Sequence, residues 1–134
     1  MPLPAPFLQS LEGVAGFDKA AFEAVHASGE TVTAIRVNPN KKPDQILFEQ
    51  TDSVPWCPYG HYLASRPSFT LDPNFHAGAY YVQDASSMFL WHALTQIVGA
   101  PNGQKVLDLC AAPGGKSTLL STYFNNGLVA EKIS

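Results

Sequence analysis

The feature that most constrains this 134-residue chain is a glycine-rich stretch, DLCAAPGGKST, that lies between two short apolar runs. The first run, Lys105–Leu109, follows a turn signal and has the length of a buried parallel strand. Ser117–Phe124 then has the pattern of a helix, and Gly127–Ala130 begins a second strand. A strand, a glycine turn, a helix and a second strand are typical of the first half of a Rossmann-like nucleotide site.

The tail of this stretch, Gly115-Lys116-Ser117, is also similar to the end of a phosphate-binding P-loop. That pattern requires a glycine where this chain has Cys110, and its interior holds Pro113, which has no N–H to donate. The dinucleotide pattern G-x-G-x-x-G is absent as well. The sequence therefore disfavours a phosphotransferase and an NAD enzyme. S-adenosylmethionine remains as the common adenosine ligand, with its carboxylate on the turn N–H groups and its ribose on Glu131.

Four short motifs follow one another along the chain: AIRVNPNK (34–41), VPWCPYG (54–60), GAYYVQDASSM (78–88) and DLCAAPGGK (108–116). In this order they resemble the R-V-N strand motif, the tryptophan–glycine turn, the Q-[DE]-x-S-S segment and the first cofactor motif of the Nop/Sun family of RNA cytosine-5 methyltransferases. The second and third motifs are similar to those of the bacterial branch that modifies ribosomal RNA. The resemblance extends over roughly residues 30–131.

This resemblance implies methyl transfer from S-adenosylmethionine to C5 of cytosine, with ribosomal RNA as the partner. It implies that the cofactor is contacted by the glycine loop and the acids near it: Cys110, Ala111, Ala112, Pro113, Gly114, Gly115, Lys116, Glu131 and Asp108. Asp108 could equally serve as a loop-ordering carboxylate, and Lys116 could be a solvated residue of the first helical turn.

The resemblance also implies that no catalytic residue lies within these 134 residues. In the family the reactive cysteines lie in later motifs, so the nucleophilic cysteine is expected beyond Ser134. The two cysteines of the chain, Cys57 and Cys110, are therefore predicted to be structural.

Two groups of polar residues are candidates for RNA contact. The first group is predicted to line the substrate cleft: Gln83, Asp84, Ser86 and Ser87. Helix capping explains the aspartate and the two serines of this group nearly as well. The second could touch RNA phosphates or the surroundings of a flipped base, or could simply be solvated: Arg36, Asn38, Lys41 and Lys42. No metal site is predicted, because the histidines have no metal-ligand spacing: His26, His61, His76 and His92.

Two domains are predicted. Residues 1–77 are expected to form a small α+β N-terminal domain that could bind RNA, with these elements: helices over Ala5–Leu11 and 18–27, a strand over 31–37, and short strands over 54–56, 61–64 and 68–71. Residues 78–134 are expected to hold the truncated start of an α/β Rossmann-like (class I) S-adenosylmethionine-dependent methyltransferase fold. Its leading helix is capped by Asp84 or Ser86 and is predicted to bury one side, made of Met88, Leu90, Trp91, Leu94, Ile97 and Val98.

Length and composition limit what the chain does alone. A doubly wound sheet needs about five strands, and the pattern predicts two, so the chain is expected to be a fragment that has no methyltransferase activity by itself. Two cysteines, no secretory segment and no membrane-spanning segment favour the cytoplasm, and the net charge of -3 is uninformative about RNA. A catalytically inactive RNA-binding or interaction module stays open as the alternative.

Overall fold

The computed structural model describes residues 3–41, 48–124 and 128–130, the last of these as backbone only. In these ranges the helices are α1 (Ala5–Leu11), α2 (Lys19–Ser28), α3 (Pro73–His76), α4 (Phe89–Ile97) and α5 (Gly115–Tyr123). The strands are β1 (Thr33–Val37), β2 (Gln50–Ser53), β3 (Gly60–Leu63), β4 (Tyr80–Val82), β5 (Val106–Asp108) and β6 (Leu128–Ala130). Short 3-10 helices lie at Phe69–Leu71 and Ala85–Met88. The chain divides into one unit up to Thr31 and another from Val32 onward.

The first unit contains α1 and α2, both of which the sequence predicts. Asp18 caps α2, because its side chain accepts a hydrogen bond from the N–H of Ala21 at 3.0 Å. Gly29 ends the helix in the left-handed conformation, with φ +66°. The ring of Phe22 contacts those of Phe7 and Phe17, with centroids 6.2 and 5.5 Å apart.

The second unit begins with an antiparallel sheet of order β2-β3-β1-β4. The central strand, β1, pairs with β3 and β4 and starts two residues after the predicted Thr31. Side chains alternate across a strand, so neighbouring residues Ala34 and Ile35 face opposite sides of the sheet. Each side has its own apolar cluster. One contains Ile35, Leu63, Phe69, Ala79 and Tyr80, and the other contains Ala34, Val54, Cys57 and Met88. The predicted small α+β architecture is therefore confirmed for this part of the chain.

A buried polar pair lies beside the first cluster. The hydroxyl of Tyr80 donates to Asp72 Oδ2 at 2.6 Å, and Asp72 Oδ1 accepts from the N–H of Asn74 at the start of α3. Burial and the neighbouring carboxylate raise the pKa of Tyr80 well above its usual value. The pair thus fixes α3 against β4, the strand in which Tyr80 lies.

The glycine stretch lies in the connection between two parallel strands. β5 and β6 are paired in register from Val106 opposite Leu128, with α5 as the connecting helix that parallel strands need. These elements lie where the sequence predicts them, although α5 begins at Gly115, two residues before the predicted start. Leu107 and Leu109 are 56% and 52% exposed. In the described ranges, no helix is both long enough and apolar enough to span a membrane.

Several predicted elements are wrong. Residues 54–56 belong to a turn instead of a strand, and the N–H of Cys57 closes that turn by donating to the carbonyl of Val54 at 3.1 Å. Residues 68–71 contain a 3-10 helix instead of a strand. The strand predicted over 61–64 is confirmed, one residue earlier, as Gly60–Leu63. Strands β2 and β4 were not predicted. Ile97, predicted to be buried on α4, is 83% exposed, because it lies at the last turn of that helix.

The predicted boundary between residues 77 and 78 falls inside the sheet. Strand β4 follows that boundary, yet it pairs with β1, so that Arg36 lies opposite Tyr81. A boundary at this place would separate two hydrogen-bonded strands, whereas the two compact units part between Thr31 and Val32.

Candidate functional site

The glycine loop borders a cavity of about 370 Å³ within the second unit. The cavity is lined by the loop, by the end of β4 and the residues after it, by the start of β1 and by one arginine: Cys110, Ala111, Ala112, Pro113, Gly114, Gly115, Lys116, Tyr81, Val82, Gln83, Asp84, Ser87, Val32, Thr33, Ala34 and Arg66. The structure therefore brings the predicted cofactor loop together with three of the predicted substrate residues. Asp108, Ser86, Arg36 and Asn38 are outside the lining.

Asp108 orders the loop from the end of β5. Its Oδ1 accepts from the N–H of Cys110 at 3.0 Å, and its Oδ2 accepts from Ser117 Oγ at 2.8 Å. Ser117 Oγ also lies 3.0 Å from the carbonyl oxygen of Ala111. The hydroxyl of Ser117 is therefore within hydrogen-bond distance of both the end of β5 and the glycine loop, and its single proton can be donated to either acceptor. These contacts agree with the loop-ordering interpretation of Asp108. A contact to the cofactor ammonium stays a prediction.

Gly114 is the residue at which the loop turns into α5. Its φ is +107°, a conformation that residues with a β-carbon rarely adopt, and the space where such a carbon would lie is open. The first N–H groups of a helix have no acceptor within the helix and carry the positive end of its dipole. The loop therefore presents donors to an anionic or strongly polar group, and the exposed Lys116 adds a cation at the cavity edge.

Arg36 lies inside the protein, although the sequence suggests a residue at the surface. It is 2% exposed, and its Nε donates to Gln83 Oε1 at 2.9 Å. Its Nη2 donates to Thr118 Oγ1 at 2.7 Å and to the carbonyl of Gly115 at 3.5 Å. Desolvation lowers the pKa of Arg36. The guanidinium is thus engaged by protein groups, and the predicted phosphate contact stays a prediction without support from its position.

The residues after β4 divide into those that face the cavity and those that do not. Gln83 and Ser87 line it, and so does the exposed Asp84, whose side chain makes no capping hydrogen bond even though it precedes a 3-10 helix. Ser86 is exposed and lies outside the lining. Capping therefore does not explain the carboxylate at this position.

Two of the predicted RNA contacts lie near the turn before β4. Asn38 Nδ2 donates to the carbonyl of Gly78 at 3.1 Å, and Lys41 Nζ donates to that of Ala77 at 2.9 Å. Both side chains hold the turn by its carbonyls. An RNA contact by either residue stays a prediction.

Other predictions concern residues outside the described ranges, namely Lys42, Glu131 and the last residue, Ser134. The phosphate contact of Lys42 and the ribose contact of Glu131 therefore stay predictions. The same holds for the nucleophilic cysteine expected beyond Ser134, because no described residue bears on it.

Sequence reasoning missed six residues of the cavity lining: Val32, Thr33, Ala34, Arg66, Tyr81 and Val82. Tyr81 and Arg66 are the two of these with long polar side chains. The Tyr81 hydroxyl donates to the carbonyl of Pro113 at 3.2 Å, and Arg66 lies with its guanidinium 5.8 Å from the centre of the Phe69 ring. Tyr81 belongs to a motif that was recognised, and its place opposite Arg36 would follow from the pairing of β4 with β1. Arg66 follows β3 in a segment without a recognisable pattern, so no local signal points to it.

The two cysteines have different surroundings. Cys57 is 1% exposed in the turn before β3, and burial raises the pKa of its thiol. Cys110 is exposed and lines the cavity, where it donates its N–H to Asp108. Among the described residues, no group of three or more histidine, cysteine or acidic side chains is arranged to hold a metal ion.

The chain is similar to known proteins in sequence and in structure. Residues 3–85 match the model of the N-terminal domain of 16S rRNA methyltransferase RsmF. Ribosomal RNA small subunit methyltransferase F of Vibrio atlanticus is 32% identical, over 92% of this chain and 28% of its own length. The protein of the same name from Pectobacterium atrosepticum is 30% identical, over 98% of this chain and 30% of its own length.

Two solved structures share the fold. The crystal structure of the protein PH0851 has a TM-score of 0.75 and 25% identity, over 98% of this chain and 31% of its own. A methyltransferase homolog protein from Pyrococcus horikoshii has a TM-score of 0.61 and 28% identity, over 96% and 47% of the two chains. The chain spans less than a third of the curated relatives' length. The predicted resemblance is confirmed, and the chain belongs to the family of the N-terminal domain of 16S rRNA methyltransferase RsmF.

Proposed function

We propose that this chain is the part of an S-adenosylmethionine-dependent ribosomal RNA methyltransferase that holds the methionine end of the cofactor. In this proposal β5, α5 and β6 begin a Rossmann-like methyltransferase fold, and the base that receives the methyl group is a cytosine, at C5. Such a substrate would place the protein in the cytoplasm. The observation that carries the proposal is the cavity formed by residues 110–116 and the segment after β4.

The size and the polar groups of the cavity support this proposal. Its volume of about 370 Å³ falls within the range of roughly 300–1,000 Å³ common for small-molecule sites. The N–H groups at the start of α5 suit a carboxylate, and the Asp84 carboxylate at the lining suits an ammonium group. Both charged groups of an amino-acid moiety therefore find partners of opposite sign.

S-adenosylmethionine would supply the activated methyl group, and the residues of this chain would bind and orient it. The N–H groups after Gly114 would hold the carboxylate, and Asp108 would keep the loop in place through Cys110 and Ser117. Cys110 would line the cofactor cavity, and Cys57 is buried. The proposal therefore assigns the nucleophilic role to neither thiol, and we expect no methyl transfer by this chain alone.

Titration calorimetry of the 134-residue chain with S-adenosylhomocysteine, the demethylated product, tests the proposal. We expect weak but saturable binding that ATP with magnesium does not displace. Gly114→Val should abolish it, because a β-branched residue is strained at φ +107° and would fill the approach of the ligand.

Gly103→Val is the matched control. Gly103 also has a positive φ, +68°, with open space around it, but it lies before β5 and outside the cavity. Its substitution should lower stability and leave affinity within a few-fold. Magnesium-dependent ATP binding would contradict the proposal, as would no binding by the folded wild-type chain. RNA binding without cofactor binding would favour the inactive RNA-binding module.

A further inference from the structure

We propose that Arg36 and Gln83 are positioning residues, which hold the glycine loop in the shape that its ligand requires. The proposal rests on the cofactor site described above and assigns these two residues a role different from the RNA contact that their sequence motifs suggest. Both reach the loop from the antiparallel sheet, Arg36 from within β1 and Gln83 from the residue after β4.

The carbonyl of Gly115 is the point at which the two side chains meet. Gln83 Nε2 donates to it at 3.1 Å, and Arg36 Nη2 lies at 3.5 Å from the same oxygen. The two side chains are also joined to each other, through Arg36 Nε and Gln83 Oε1 at 2.9 Å. The first residue of α5 is therefore held by a closed arrangement of three hydrogen bonds.

The two preceding carbonyls of the loop are held as well. Thr118 Oγ1 accepts from Arg36 and lies 2.9 Å from the carbonyl oxygen of Gly114, to which its proton can be donated. The Tyr81 hydroxyl donates to the carbonyl of Pro113. In a planar trans peptide, a carbonyl and the next N–H point in opposite directions. Fixing these three carbonyls therefore fixes the directions of the three N–H groups that follow them.

Burial makes this arrangement hard to break. Arg36 is 2% exposed, and burial lowers the pKa of its guanidinium. Carbonyl, amide and hydroxyl oxygens of the protein accept its hydrogen bonds. A buried charge that loses its hydrogen bonds is costly. A displacement of the loop would remove those bonds, so the charge of Arg36 opposes the displacement.

The test compares Arg36→Met with Lys41→Met in the 134-residue chain. Lys41 is a matched control, because it too donates to a backbone carbonyl, but at the exposed turn before β4. Amide hydrogen exchange without ligand is followed at Thr118, whose N–H donates to Gly114, and at β1. We expect Arg36→Met to speed exchange at Thr118 and to weaken S-adenosylhomocysteine binding, each by about tenfold or more. Exchange in β1 should change little, and Arg36→Lys should restore part of both losses. Lys41→Met should change neither quantity.

Thr118→Val covers the case in which Arg36→Met does not fold, because Thr118 is exposed. It removes the hydroxyl between Arg36 and Gly114, and Thr118→Ser should restore the wild-type behaviour. Unchanged exchange and affinity in Thr118→Val would overturn the proposal. So would an Arg36→Met protein that binds RNA less tightly while its loop exchanges as before. If the wild-type chain binds no cofactor but the loop of the variants exchanges faster, the positioning role stands and the proposed function fails.

Discussion

Gly60 is a position where one added carbon should destabilise the sheet beside the candidate site. It begins β3 and lies opposite Arg36. A β-carbon there would lie 2.7 Å from Met88 Sδ and 2.7 Å from the β-carbon of Val54. Both neighbours are fully buried, with exposures of 0% and 2%. Gly60→Ala therefore forces atoms into a space that is already filled.

Two opposing effects set the size of the change. Replacing glycine by alanine where the backbone permits it stabilises a protein by about 0.4–1 kcal/mol, because the unfolded chain loses freedom. Gly60 is not among the glycines with a positive φ, so this gain applies. Overpacking of a core costs about 1–3 kcal/mol, and contacts of 2.7 Å lie far inside the optimum of roughly 3.5–4.0 Å between carbon atoms. We expect the clash to win, with a net loss of about 1–2 kcal/mol.

Urea unfolding of the wild type and of Gly60→Ala measures this loss, with an unchanged m-value as the sign that only stability has changed. Met88→Ala in both backgrounds serves as the control. It removes one of the two clashing groups, so Gly60→Ala should cost less in that background. A Gly60→Ala protein as stable as the wild type, or more stable, would refute the reasoning from packing.

Three further substitutions test individual contacts. Tyr80→Phe should lower the unfolding free energy in urea by about 1.5–3 kcal/mol, because Asp72 loses its 2.6 Å partner. Because the pKa of Tyr80 is raised in the folded protein, its hydroxyl ionises at a lower pH in the unfolded chain than in the folded one. The contribution of Tyr80 to the free energy of unfolding is therefore complete below about pH 10 and is lost as the pH rises further, and Tyr80→Phe should lack this decline. Cys110→Ala should change affinity for S-adenosylhomocysteine in calorimetry by less than about tenfold. Asp108→Asn should speed amide exchange at Cys110, because asparagine has a single accepting oxygen in place of the two carboxylate oxygens that accept from Cys110 and Ser117.

Each of these substitutions has an outcome that contradicts its reason. Equal stability of Tyr80→Phe would mean that the hydroxyl is as well satisfied by water. Complete loss of binding in Cys110→Ala would make that side chain a necessary part of the cofactor site. Unchanged exchange in Asp108→Asn would show that the loop keeps its shape without the carboxylate.

The elements that the sequence predicts correctly are those with strong local signals. The helix α2 has an aspartate cap and a terminal glycine, and β1 is rich in β-branched residues. In contrast, β2 is the polar and exposed segment QTDS, with no apolar alternation to mark it. It is a strand because β3 offers it hydrogen-bonding partners. An edge strand of this kind is determined by its neighbour and is therefore absent from local patterns.

The candidate site shows the same contrast between features with local sequence signals and features determined by tertiary contacts. The turn at Gly114 and the helix after it are local, and the sequence predicts both. The burial of Arg36 is not local, because its partners Gln83 and Thr118 are 47 and 82 residues away along the chain. Arginine is rarely fully buried, so a solvated surface residue was the reasonable expectation. Only the tertiary structure shows that its charge faces the interior.

The arrangement gives a physical reason for the four motifs to occur together in one chain. In the sheet, Arg36 of the first motif lies opposite Gly60 of the second and Tyr81 of the third. Gly60 has no side chain, which lets Val54 pack against Met88 at the end of the third motif. Arg36 and Gln83 then reach the fourth motif at a single carbonyl. Substitution of Arg36, which does not line the cavity, is therefore expected to alter the position of the glycine loop through these contacts.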